Sequence, residues 1–320
     1  MTQITIGIDI GGTNTVMGFV DREGNCLAEI SVPTREHAEI DPYMQNISRL
    51  LKTELAAHAD WQLMGIGTGA PNANYHRGTI EEAPNLAWKG TVHFCKKLAE
   101  YFPNIAIAIT NDANAAAIGE MIYGAARGLR DFVVITLGTG LGSGIVVDGN
   151  LVYGHDGFAG EVGHTTVFLD GRQCGCGKRG CLETYASATG MVRTMTEILC
   201  NSQKDSELRS IPNNKLTALD IEIALKKGDT LAQECFDYTG KILGLKLADV
   251  VAHTSPSHIF IFGGVAKAGD LLLNPIRSHM EEYLLPIFKN KITIQQSGLQ
   301  NANAAVLGAS ALAWKELEKN

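Results

Sequence analysis

The stretch ITIGIDIGGTNTVMGFVDREGN, residues 4–25, decides the reading of the fold. It alternates with an apolar bias over 4–10, turns at Gly11-Gly12-Thr13, runs apolar again over 16–20, and meets a polar turn over 21–25. That pattern predicts two strands joined by a glycine turn, then a hairpin into a third strand over 26–32. The pattern recurs in FVVITLGTGLGSGIVVDGN, residues 132–150. Here a strand over 132–137 leads into a glycine-rich turn over 138–144, a strand over 145–147, and a turn at Asp148-Gly149-Asn150 into 151–153. At an offset of 127 residues Gly11 lies on Gly138, Thr13 on Gly140 and Asp21 on Asp148. After a two-residue deletion, Gly24-Asn25 lies on Gly149-Asn150. One strand–loop–strand–hairpin unit used twice predicts two α/β lobes, each presenting a glycine turn to a shared cleft.

Outward from these units the chain reads as alternating elements. A helix is expected over 42–57, with apolar residues at Met44, Ile47, Leu50, Leu51 and Leu55, and strands over 63–67 and 105–109. Helices are expected over 216–227 and 230–254, then a strand over 258–262 and a turn at Gly263-Gly264. An alanine-rich helix over 302–319 is expected to pack back on the first lobe.

The length of 320 residues accommodates two cores. Hydrophobic residues at 45% and charged residues at 19% give a globular balance. No apolar run reaches the roughly 18 residues of a membrane span. The N-terminus lacks a basic segment and Asp9 breaks its apolar run, so no signal peptide is read there and a cytoplasmic location is expected. A net charge of −7 weighs against a nucleic-acid partner. It leaves nucleotides open, because backbone N–H groups and a metal ion can hold phosphate without a basic patch.

Asp9-Ile10-Gly11-Gly12-Thr13 has glycines that let backbone approach a phosphate, a hydroxyl donor at Thr13, and a carboxylate at Asp9 able to hold water around Mg²⁺. Alone it reads equally as a plain hairpin. Gly138-Thr139-Gly140-Leu141-Gly142-Ser143-Gly144 is not a Walker A loop, since no Gly-Lys-Ser/Thr follows, and it opens no helix as a dinucleotide fingerprint must. Two such turns in a duplicated fold read as clamps on a polyphosphate. Asp112 lies past the strand over 105–109, where it reads either as a helix N-cap or as a general base for an attacking hydroxyl. His164-x9-Cys174-x-Cys176-x4-Cys181 supplies one imidazole and three thiolates, a closed tetrahedral set for structural zinc. Glu161 and Glu183 flank that set as acceptors for hydroxyl groups, which suits a polyhydroxylated substrate. Asn85 and Trp88 read either as sugar contacts or as loop structure, as does Gly69-Ala70-Pro71.

The chain resembles the ROK family of bacterial sugar kinases and related sugar-responsive repressors. The resemblance spans nearly the whole chain and rests on DIGGT at 9–13, NDANAAA at 111–117, GTGLGSG at 138–144, GEVGH at 160–164, CGCGKRGCLE at 174–183 and the late glycine pair. It implies a duplicated, actin-like (ribonuclease H-like) two-lobed fold, divided into a smaller lobe of residues 1–117 plus 303–320 and a larger lobe of 118–302. It implies Asp112 as catalytic base, and Asn85, Asn111, Asp112, Glu161, His164 and Glu183 as sugar contacts. It implies His164, Cys174, Cys176 and Cys181 as zinc ligands. Asp9, Gly11, Gly12, Thr13, Gly138, Thr139, Gly140, Gly263 and Gly264 fall on the nucleotide side, with ATP and Mg²⁺ as cofactors. Many members carry lysine where this chain has Asn14, and glycine where it has Val265. The implied reaction is ATP-dependent phosphorylation of a hexose at its 6-hydroxyl, with glucose first. N-acetylmannosamine, N-acetylglucosamine, fructose, mannose and allose are alternatives. A sugar-sensing regulator is the rival of another class, but family repressors carry a helix-turn-helix module before DxGGT, where this chain has eight residues. A homodimer is also implied.

Overall fold

The computed structural model describes residues 1–299 and 304–318. In chain order the strands and α-helices are β1 (Thr2–Ile10), β2 (Asn14–Asp21), β3 (Cys26–Pro33), α1 (Ile40–Ala57), β4 (Trp61–Gly69), β5 (Ala73–Asn74), β6 (Thr79–Glu81), β7 (Thr91–Val92), α2 (Phe94–Tyr101), β8 (Ala106–Thr110) and α3 (Asp112–Ile122). They continue with β9 (Phe132–Leu137), β10 (Leu141–Val147), β11 (Asn150–Leu151), α4 (Glu183–Ala186), α5 (Ala188–Asn201), α6 (Ala218–Lys226), α7 (Thr230–Thr254), β12 (His258–Phe262), α8 (Asp270–Tyr283), β13 (Thr293–Gln296) and α9 (Ala304–Leu317).

The duplication expected from the sequence is present in the sheets. The first sheet has the order β3-β2-β1-β4-β8 and the second β11-β10-β9-β12-β13. In each, three antiparallel strands lead into two parallel ones. The offset of 127 holds at the turns: β1 ends at Ile10 and β9 at Leu137, while β2 starts at Asn14 and β10 at Leu141. The glycine-rich turn read over 138–144 is shorter than expected. Leu141 already pairs with Leu137, so residues 141–144 are strand and the turn is Gly138-Thr139-Gly140. The second hairpin turns at Asp148 (φ 52°) and Gly149 (φ 75°), two left-handed residues that match the twist of the flanking strands.

Glycines within the strands have a separate cause. A Cβ at Gly142 would come 2.8 Å from the Ala113 Cβ, and one at Gly144 would come 2.6 Å from the Ala117 Cβ, because α3 lies directly on β10. In the first sheet a Cβ at Gly7 would fall 2.0 Å from the Val306 carbonyl oxygen, and one at Gly67 1.9 Å from that of Ala309. Thus α9, which follows the last strand of the second sheet, covers the first sheet, as the sequence predicted. Helix α3, which follows the last strand of the first sheet, covers the second. The two helices meet where a Cβ at Gly119 would lie 2.9 Å from the Gly308 Cα. Of the helix expected over 302–319, residues 302, 303 and 319 lie outside the described residues.

Each sheet has its own core. Ile4, Ile6, Ile8, Tyr43, Ile47 and Phe94 fill the first, and Val133, Ile135, Met195, Phe236, Leu243 and Leu272 the second. Trp88 belongs to the first core. It is 5% exposed, packs 4.5 Å from the Tyr43 ring and donates its indole N–H to the His37 carbonyl, so the reading of Trp88 as a cover for a sugar face does not hold. Helix α7 runs over the predicted residues because both ends are specified. Asp229 accepts from the Leu231 and Ala232 amides at the start, and Ser255 (φ 45°) ends it in a left-handed turn. No helix among the described residues is long and apolar enough to cross a membrane.

Candidate active site

Asp9, Asp112, residues 138–140 and Gly263-Gly264 lie at or just past the carboxyl ends of parallel strands, where ligands bind in open α/β folds. Asp9 is near the end of β1 and pairs with Gly69 at the end of β4. Gly69 in turn pairs with Thr110 at the end of β8, and a Cβ on Gly69 would lie 3.7 Å from the Asp112 Cα. Asp9 on β1 and Asp112 at the start of α3 therefore lie on either side of the end of β4, close enough for the Asp112 charge to act on Asp9. Burial, followed by the charge of Asp112, pushes the Asp9 carboxyl up to about 6. Asp112 is also raised, by burial against the opposing pull of the Ala113 N–H. Its side chain nonetheless stays open to solvent.

The N-cap of α3 is Asn111, whose Oδ1 accepts from the Ala113 amide at 2.9 Å. Asp112 is the first helical residue, and its Oδ1 accepts from the same amide at 2.8 Å. The capping role read as an alternative for Asp112 thus falls to its neighbour.

The first glycine turn is closed by the Gly11 N–H to the Asn14 carbonyl at 2.9 Å. Asn85 sits directly over it, since a Cβ on Gly12 would meet the Asn85 carbonyl oxygen at 2.8 Å. Arg35 Nε donates to the Gly12 carbonyl at 3.1 Å, and Thr13 is exposed. The second turn is closed by the Gly138 N–H to the Gly140 carbonyl at 3.0 Å. It abuts Gly263, whose φ of 105° and close approach to the Leu137 carbonyl (2.5 Å from a built Cβ) require glycine. A Cβ at Gly138 or Gly264 would meet no atom within 4 Å, so both backbones face open space.

A segment running out of the cysteine cluster holds the second turn at three points. Glu183 Oε2 accepts from the Leu141 amide at 3.0 Å, the Ala188 amide donates to the Gly138 carbonyl at 2.9 Å, and Thr189 Oγ1 donates to the Thr139 carbonyl at 2.9 Å. The other Glu183 oxygen is 3.6 Å from Cys174 Sγ. Of these contacts the sequence reading found only Glu183. Thr189 and Ala188 carry no motif and are found only through the fold.

His164, Cys174, Cys176 and Cys181 offer ligand atoms that all lie within 4.8 Å of one another, a set able to hold a metal ion. The Cys176 and Cys181 sulfurs are 3.7 Å apart, as are Cys174 Sγ and His164 Nδ1. A tetrahedron with metal–sulfur bonds of 2.3 Å has S···S edges of about 3.8 Å. With Nδ1 turned to the cluster, His164 Nε2 faces Glu161 Oε2 at 4.0 Å. Glu161 is raised, chiefly by burial, with His164 opposing and the Asp112 and Glu183 carboxylates adding to it. Asp9, Asp112, Glu161, His164 and Glu183 therefore share one electrostatic neighbourhood.

Comparison with known proteins adds to this geometry. The model of the ROK family matches residues 5–316. A glucokinase of Halalkalibacterium halodurans is 38% identical over 314 residues, covering 96% of this chain and 94% of the relative. A xylose repressor of Bacillus spizizenii is 26% identical, covering 96% of this chain and 76% of the repressor. Among solved structures, a ROK family glucokinase from Streptomyces griseus in complex with glucose and AMPPNP superposes with a TM-score of 0.80 at 32% identity, covering 98% of this chain and 99% of that one. On the family match and the relatives above 30% identity, the chain belongs to the ROK family, with its actin-like two-lobed fold.

Proposed function

We propose that this protein transfers the γ-phosphoryl group of ATP to a hexose, with glucose as the first substrate and the 6-hydroxyl as acceptor. The observation that carries the reading is Asp112: solvent-accessible, raised in pKa, at the start of α3 just past β8, and near enough to act on the Asp9 charge. A carboxylate whose pKa moves toward the working pH is a better general base. Asp112 orients the sugar hydroxyl and takes its proton as the phosphoryl group arrives. Positioning and charge neutralisation supply most of the rate in this reaction class. The glucokinase relatives and the neighbour holding glucose and AMPPNP support the same assignment.

Asn85, Asn111, Glu161, His164 and Glu183 bind the sugar in this reading. Glu183 has lone pairs beyond the one given to Leu141, so holding the turn and accepting a sugar hydroxyl are compatible. Gly11, Gly12 and Thr13 take one end of the polyphosphate, and Gly138, Thr139 and Gly140 with Gly263 and Gly264 the other. Asp9 holds Mg²⁺ through water, which fits a carboxyl crowded by Asp112 and relieved by a cation. Bound there, the ion neutralises phosphate charge. The tetrahedral spacing of His164 and the three cysteines suits Zn²⁺, which keeps the His164 ring and the chain leading to Glu183 in place. The lobes divide as 1–117 with 303–320, and 118–302, a boundary that cuts α3 and leaves α9 whole in the first lobe. Residues 303, 319 and 320 lie outside the described residues. A cytoplasmic homodimer completes the reading.

The test is ATP-coupled turnover over a panel of glucose, mannose, fructose, allose, N-acetylglucosamine and N-acetylmannosamine. Glucose is expected to give the highest kcat/KM. Binding of a sugar with no phosphorylation of any member would move the protein to the regulator class.

A further inference from the structure

We infer that Ser143 is a positioning residue for sugar recognition, holding the turn that carries Glu161. The inference rests on the reading of Glu161 as a sugar contact. Strand β10 alternates: Gly142 and Gly144 lie under α3, while Ser143 points to the opposite face and is 6% exposed. There its Oγ donates to the Gly160 carbonyl and accepts from the Val162 amide at 3.2 Å. Those two groups flank Glu161 on either side. They also bond each other, Val162 N–H to Gly160 C=O at 2.8 Å. With φ −76° and ψ 54°, Glu161 is therefore the centre of an inverse γ-turn. A single buried hydroxyl braces both peptide groups of that turn.

The loop has no slack around this bond. Gly160 has φ 94°, and a Cβ on Gly163 would fall 2.2 Å from the Leu141 carbonyl oxygen, so residues 160–163 lie flat against β10. Glu161 leaves the turn exposed, toward the side where His164 and Asp112 act on its charge. A γ-turn in isolation is a weak structure. Bracing it from a central strand fixes the direction in which its middle side chain leaves.

The experiment compares Ser143→Ala, Glu161→Gln and the double variant, measuring KM for glucose, KM for ATP, kcat, glucose affinity by calorimetry, Tm and bound metal. Ser143→Ala is expected to raise the glucose KM and Kd about fivefold and to lower Tm by a few degrees, as loss of a buried hydrogen-bonded hydroxyl should, with the ATP KM and metal content unchanged. In the Glu161→Gln background the same change should add less than twofold, since the side chain it positions no longer accepts as a carboxylate. The inference is overturned if Ser143→Ala leaves glucose affinity unchanged while Glu161→Gln weakens it. It is equally overturned if the Ser143 effect is undiminished in the double variant, or if the glucose and ATP KM values rise together. If Glu161→Gln itself leaves glucose affinity unchanged, the reading of Glu161 fails, and the Ser143 inference with it.

Discussion

The turn after β1 and the turn after β9 occupy equivalent places in two sheets of one strand order, yet what stands behind them differs. Gly11-Gly12-Thr13 is backed by ordinary loop residues, with Arg35 on the Gly12 carbonyl and Asn85 in contact with Gly12. Gly138-Thr139-Gly140 is gripped by Glu183, Ala188 and Thr189, which lie within eight residues after Cys181, the last member of the cysteine cluster. In the first repeat β3 leads into α1, whereas in the second β11 leads into a long irregular stretch that carries the cluster. In the proposed reading the duplication supplies two frames for polyphosphate, and the irregular stretch after β11 adds the cysteine cluster and the contacts that hold the second turn. In this reading the cluster bears on both substrates, through His164 on one side and the second glycine turn on the other.

The sharpest way to break this contrast is at Gly140. A Cβ there would fall 2.4 Å from Glu183 Oε2, so Gly140→Ala must push the carboxylate from the Leu141 amide. A displacement of about 1 Å in a positioned loop costs on the order of 100-fold in turnover. Gly138→Ala, with nothing within 4 Å of its Cβ, should leave unliganded stability unchanged. Equal effects of the two changes on Tm would show that Glu183 does not grip the turn.

Metal removal comes next. Stripping the cluster with a zinc-selective chelator should raise the KM for sugar and for ATP together, each by about tenfold, the lower end of what outer-shell disruption costs at metal sites. A rise in the sugar KM alone would separate the cluster from the nucleotide side.

The smallest effect is expected at Asp9 and concerns the first frame. Its carboxyl titrates near 6 in the folded protein and near about 3.9 when unfolded. Between those values the folded state binds more protons, so stability falls as pH rises through that window. Without magnesium, Asp9→Asn should gain a few degrees of Tm over the parent at pH 8 and none at pH 4. A difference that does not change with pH would contradict the shift.

The parts legible in the sequence are those whose cause is local. Alternation bounded by glycine turns located β1, β2, β9 and the hairpins, and α7 carries its own caps in Asp229 and Ser255. The cluster was legible because one histidine and three cysteines at short spacing have few other uses. What was not legible depends on partners distant in the chain. Thr293–Gln296 is a strand because β12 pairs with it, and β5 and β7 are two residues each. Gly142 and Gly144 read as turn residues, but they are strand residues made small by α3 above them. Trp88 read as a possible lid for a sugar, but Tyr43, far off in sequence, claims it for the core. Ser143 sits within a quoted motif, yet its purpose appears only when the 160–164 loop is laid against it.

The most direct test of the account is a paired measurement on Asp112→Asn: calorimetric glucose binding beside ATP-dependent glucose phosphorylation. General-base loss is worth about 10²- to 10⁴-fold. The account predicts a turnover drop in that range with the glucose Kd held within about threefold, since the amide keeps the shape and hydrogen-bonding reach of the carboxyl. Turnover within a factor of two of the parent would contradict it.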